Sequence, residues 1–142
     1  MRLVTRGDLD GLACSVLITS VERIDAIELV HPQALTDGRF EVRDGDVIAN
    51  LPYHPKCAMW FDHHELVDAN PRPEAAFQGR YGLAPSTARL VYDHYCERKG
   101  WTLFERYGEL VDGADRLDSA NLTLRDVLQP RRVILLGFTI DS

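Results

Sequence analysis

The sequence predicts an α/β fold, a parallel sheet with helices on both faces, and three observations lead there. Short apolar runs alternate with stretches of helical periodicity through the first half of the chain. Three of those runs stop abruptly at polar residues able to do chemistry. The rest of the sequence has neither repeats nor low-complexity segments, so one compact arrangement must use all of it.

Leu3-Val4 begins the first strand, which ends at the turn Arg6-Gly7-Asp8-Leu9-Asp10-Gly11. From Gly11 to Val21, Leu12, Val16, Leu17 and Val21 recur at helical spacing, and Asp10 is placed to cap that helix. A helix start behind such a turn favours anions. Residues 26–30 read as a second strand, closed by His31-Pro32. Residues 33–46 are polar and turn-rich. Val47-Ile48-Ala49 is a third strand, ending at Asn50, and Cys57 to Phe61 is a fourth, ending at Asp62-His63-His64. Leu66 to Gly82, with Pro71, Pro73, Gly79 and Gly82, lacks periodicity and reads as a long loop suited to a lid. Ala84 to Lys99 is helical and stopped by Gly100. Leu103 to Val111 is a further helix running into an acidic segment with Asp112, Asp115 and Asp118. Val133 to Phe138 reads as strand or buried helix.

The bulk properties narrow the function. The 142 residues suffice for one domain, and 45% apolar with 27% charged residues is ordinary for a globular protein. A net charge of −6, spread along the chain, argues against binding duplex DNA, which needs a basic face. It leaves room for a small phosphorylated substrate or a short single-stranded nucleic acid. Cys14, Cys57 and Cys96 sit apart in apolar contexts, as reduced thiols of a cytoplasmic protein do. No apolar run reaches membrane-spanning length.

Asp62-His63-His64 directly after a buried strand joins a carboxylate to two imidazoles, a donor set suited to a divalent transition metal. Asp8 and Asp10 after the first strand, Asn50 after the third and the distant acidic segment complete the set. In that order, and above all at Gly7-Asp8-Leu9-Asp10-Gly11 and Phe61-Asp62-His63-His64, the chain resembles the DHH phosphoesterase superfamily over roughly residues 2–120. That superfamily includes RecJ-type nucleases, oligoribonucleases, cyclic-dinucleotide phosphodiesterases, family II pyrophosphatases and exopolyphosphatase-like proteins.

The resemblance implies a metal-dependent hydrolase that cleaves a phosphodiester or phosphoanhydride with Mn²⁺ or a similar ion. It implies metal ligation by Asp8, Asp10, His63 and an acidic residue of the fourth cluster, Asp115 or its rival Asp112. It places His64 at the scissile phosphate and makes Asp62 the partner that orients the histidines. A homodimer is a further expectation. Two positions depart from the family pattern. Arg6 stands where the family usually has a ligating His, and a guanidinium cannot ligate a metal. Asn50 stands where the family usually has an Asp bridging two metals, and its neutral amide oxygen would be a weaker metal ligand there. One ion rather than two is therefore expected, with Arg6 pairing Asp8 and reaching a substrate phosphate. A weakened member that binds a nucleotide or phosphate without efficient turnover is the competing expectation. The family's usual C-terminal domain has no counterpart here. The ending Thr139-Ile140-Asp141-Ser142, close after an apolar segment, resembles a cut between domains.

Overall fold

The computed structural model describes residues 1–68 and 70–140. Asp141 and Ser142 of the terminal segment, and Ala69 of the expected lid loop, lie outside the described residues. The elements run β1 (Arg2–Thr5), α1 (Leu9–Val21), β2 (Ala26–Leu29), α2 (Pro32–Thr36), β3 (Val47–Ala49), β4 (Met59–Asp62) and β5 (Gly79–Tyr81). They continue with α3 (Thr87–Lys99), a 3₁₀ turn (Glu105–Tyr107), α4 (Gly108–Asp118), α5 (Leu124–Leu128) and α6 (Arg132–Thr139). All five strands are parallel, in the order β2-β1-β3-β4-β5.

Alternation along the central strands explains the layering. Leu3, Val47, Ala49 and Phe61 point to one face, where α1, α3 and α4 cover them through Leu17, Val91 and Val111, joined by Phe104 just before the 3₁₀ turn. Val4, Ile48 and Trp60 point to the other. There the cover is thinner, consisting of Leu35 on α2 and loop residues such as Val42, Leu51 and Tyr53. Helices thus flank both faces as expected, but the weight lies on one.

Several local expectations are corrected. Helix α1 begins at Leu9, and its cap is Asp8, whose carboxylate accepts from the Gly11 amide at 2.8 Å. Asp10 therefore lies inside the first turn and is free for another role. The stretch 66–82 ends in a fifth strand, which three residues and a glycine conceal in the sequence. Gly79 has φ +118°, and a Cβ there would lie 2.0 Å from the Trp60 carbonyl oxygen, so only glycine permits this pairing. Helix α4 carries on through the acidic segment to Asp118, because Leu110, Val111, Ala114 and Leu117 keep helical spacing. Residues 133–138 are helical, yet only Ile134 of α6 is buried. Among the described residues no helix is long and apolar enough to cross a membrane.

Candidate active site

The strand order reverses between β1 and β3, and in an open parallel sheet that is where a crevice opens at the carboxyl edge. Asp8 follows β1, Asn50 follows β3, and Asp62 and His63 close β4. Helix α3, the next element after β5, points its N-terminus into the same place. Topology alone thus gathers residues scattered over half the chain.

Asp8 and Asn50 meet across the switch point. The Asn50 amide donates to Asp8 Oδ1 at 3.0 Å, and that oxygen also accepts from the Gly11 backbone. The other oxygen, Oδ2, lies 3.3 Å from Arg6 Nε. Oδ1 of Asp8 thus accepts from two protein donors, while Oδ2 is paired by charge with Arg6, whose Nε is not aligned to donate. Asn50 is buried, sits in the left-handed backbone region at φ +61°, and accepts from the Thr87 hydroxyl at 3.3 Å through its own oxygen. Asparagine tolerates that backbone better than most residues do.

Asp10 is only 2% exposed. Its oxygens accept from the backbone amides of Thr87 at 2.9 Å and Ala88 at 2.8 Å, in the first turn of α3. Ser86 caps that helix, so Asp10 is held against its positive end. Burial, with the negative charge of Asp118 added to it, lifts the Asp10 carboxyl to about 7, against the pull of those two amides.

His63 Nδ1 lies 2.9 Å from the carbonyl oxygen of Ala84. A carbonyl can only accept, so Nδ1 carries a proton, and Nε2 holds a free lone pair only when the ring is neutral. That nitrogen is 2.6 Å from Asp118 Oδ2 and 3.6 Å from Asp10 Oδ2. It is buried, and neither carboxylate is aligned with it as a hydrogen-bond partner. Burial opposes a charge on His63, yet the adjacent Asp118, the Ala84 carbonyl and Asp10 prevail and raise it to about 9. An imidazole nitrogen set between two carboxylates needs a proton or a cation between them, and a divalent cation that displaced the proton would meet one nitrogen and two carboxylate donors. The residues present fit such an ion.

His64 stands beside it, with ring centroids 4.5 Å apart. Its Nδ1 lies 2.7 Å from Asp62 Oδ1, and that bond to a buried carboxylate raises its pKa. The ring is half-exposed, and its Nε2 makes no hydrogen bond to a described residue. Tyr81 donates its hydroxyl to the His64 carbonyl at 2.9 Å, fixing the histidine pair to β5. One ligand atom each from His63, His64 and Asp118 lies within 4.8 Å of the others.

The acidic segment divides its work by helical position. Asp118 reaches His63. Asp115, the expected ligand, instead accepts from the Ser86 hydroxyl at 2.6 Å and from Arg89 at 2.7 and 2.9 Å. Asp112, its rival, is exposed and also pairs with Arg89, at 2.9 Å. The structure thus brings together Arg6, Asp8, Asp10, Asn50, Asp62, His63 and His64, and adds Asp118, which was not singled out. Its recurrence three residues after Asp115 on a continuing amphipathic helix was the available signal.

No family model matches the chain, and no curated protein matches it. Among solved structures it is similar to a pGpG-specific phosphodiesterase, PggH from Vibrio cholerae, with 39% identity and a TM-score of 0.81. The match covers 99% of this chain and 44% of that one, so the chain spans less than half the length of that protein. At this level of identity the likeness extends beyond topology: the chain shares the fold of part of a phosphodiesterase.

Proposed function

We propose that this chain is a metal-dependent phosphodiesterase domain acting on short phosphorylated nucleotides of the dinucleotide class. The observation that carries the reading is the position of His63 Nε2 between Asp118 and Asp10. The similarity to a pGpG-specific phosphodiesterase supports the reaction class. His63, Asp118 and Asp10 would hold one divalent ion, Mn²⁺ or a similar metal. Such an ion supplies a water acidified toward neutrality and charge to offset the phosphate.

The chain's own residues account for the rest. The Arg6 guanidinium, paired with Asp8, neutralises that carboxylate and still offers donors to a phosphate oxygen. Asn50 and Gly11 fix Asp8, so the Arg6–Asp8 pair fills the place that a second ion would need. His64 is held by Asp62 through Nδ1, which leaves Nε2 to donate a proton to a phosphate or to the departing alkoxide. Asp62 lifts the basicity of that ring and sets its orientation.

The test is hydrolysis of pGpG by this chain with Mn²⁺ and with a chelator, beside a cyclic dinucleotide and polyphosphate. The expected result is chelator-sensitive cleavage of pGpG to mononucleotide. The pairing of Asp8 with Arg6 and Asn50 favours a second reading, in which the domain binds the nucleotide with little turnover. Calorimetric binding of pGpG in Mn²⁺ without product would select it.

A further inference from the structure

Resting on the metal site just proposed, we infer that Asp115 and Arg89 are positioning residues that set the spacing of that site without ligating the ion. Asp115 Oδ1 accepts from Ser86 Oγ at 2.6 Å, while Oδ2 accepts from Arg89 Nε at 2.9 Å and Nη2 at 2.7 Å. Both oxygens are therefore spent on donors of α3. Ser86 is fully buried, and its hydroxyl accepts from the Arg89 amide at 3.1 Å, which closes the first turn of that helix. One carboxylate on α4 thus pins the cap and the first turn of α3 together.

Two ligands depend on that junction. The amides of Thr87 and Ala88, in the pinned turn, are the groups that hold Asp10. Asp118 follows Asp115 by three residues on the same helix, so the two side chains share a face of α4. Fixing α4 at Asp115 fixes where Asp118 meets His63. The clamp consequently sets two of the three proposed ligands against each other, although Arg89 carries no lone pair with which to bind a metal. Outer residues that orient ligands typically change metal affinity by about 10- to 100-fold.

The experiment is Mn²⁺ titration of the chain by calorimetry, with circular dichroism and the thermal midpoint recorded for each variant. Wild type is compared with Arg89→Ala, Arg89→Lys, Asp115→Ala, Asp115→Asn and Asp118→Ala. Arg89→Ala and Asp115→Ala should each weaken Mn²⁺ binding about 10- to 100-fold and still reach one ion per chain at saturation. The double variant, Arg89→Ala with Asp115→Ala, should be no worse than Asp115→Ala alone, since Asp115 also holds Ser86. Arg89→Lys, which keeps one charged donor, should lie closer to wild type. Asp118→Ala should fail to saturate. If either alanine variant does not fold, Arg89→Lys and Asp115→Asn carry the comparison.

Loss of the ion in Asp115→Ala with unchanged affinity in Arg89→Ala would make Asp115 a ligand and overturn the inference. Wild-type affinity in every Arg89 and Asp115 variant would overturn it as well. A wild-type chain that binds no Mn²⁺ overturns the metal site itself, which separates that failure from failure of the clamp.

Discussion

His63 and Asp118 meet at 2.6 Å, imidazole Nε2 against carboxylate oxygen, and the contact joins the end of β4 to the last turn of α4. Positive charge must lie between them, either the imidazole's own proton or a metal ion that replaces it. Asp118→Ala should reduce Mn²⁺ affinity at least about 100-fold, since it removes a ligand outright. Titration calorimetry measures this directly. An unchanged affinity would place the ion elsewhere.

The environment of Asp8 bears on the number of ions. With its oxygens held by Asn50, Gly11 and Arg6, one Mn²⁺ per chain is expected for the unaltered protein. The double change Arg6→His with Asn50→Asp exchanges a cation and a neutral amide for two ligands. Elemental analysis should then rise from one Mn per chain to two. A ratio that stays at one would show that the guanidinium is not what excludes the second ion.

Gly11 is required by the close approach of α1 to the turn before it. A Cβ there would lie 1.8 Å from the Arg6 carbonyl oxygen. Backbone cannot yield as a side-chain tip can, so Gly11→Ala should destabilise the fold by about 3 kcal/mol. Urea unfolding monitored by circular dichroism reads the loss. The same change moves Arg6 relative to Asp8, so phosphate affinity should fall with it.

His94 supplies a pH dependence away from the candidate site. It is 3% exposed, packed edge-on to Phe61 and Tyr95, and its Nδ1 has no hydrogen-bond partner. Burial, helped by Arg98 and Arg80, lowers its pKa from 6.5 to about 4. The folded protein therefore binds fewer protons than the unfolded chain between those values. The stability it confers is complete above pH 6.5 and is lost progressively as pH falls toward 4, by up to about 3 kcal/mol. His94→Leu should remove this slope, leaving a flatter stability profile between pH 7 and 4.5 in denaturant unfolding. A variant as acid-sensitive as wild type would assign the slope to another group.

The parts of the fold legible in the sequence were those written in local pattern. Leu3-Val4, Val47-Ile48-Ala49 and Trp60-Phe61 are too apolar to be anything but central strands, and Asp8, Asn50 and Asp62 mark where they end. β5 was hidden because its pairing depends on a missing side chain at Gly79, a contact with Trp60 that no periodicity records. The role of Asp118 was hidden for a different reason. Asp112, Asp115 and Asp118 are alike in sequence and are distinguished only by Arg89, which arrives from another helix and takes two of them. Choosing among equivalent side chains is a tertiary matter. The cap of α1 shows a milder case, where Asp8 and Asp10 are both good capping residues and burial of Asp10 against α3 decides between them.

The left-handed backbone at Asn50 limits which amino acids that position can accept. At φ +61° most side chains are strained, while glycine, asparagine and aspartate are accommodated. Glycine would leave Asp8 and Thr87 without their partner, so the choice narrows to a pair of isosteric residues that differ by an amide nitrogen against an oxygen. Their codons differ by a single base. The position can therefore alternate between a neutral donor and an anionic ligand with no change of backbone shape, and a lineage could acquire or discard a metal-bridging group there in one mutational step.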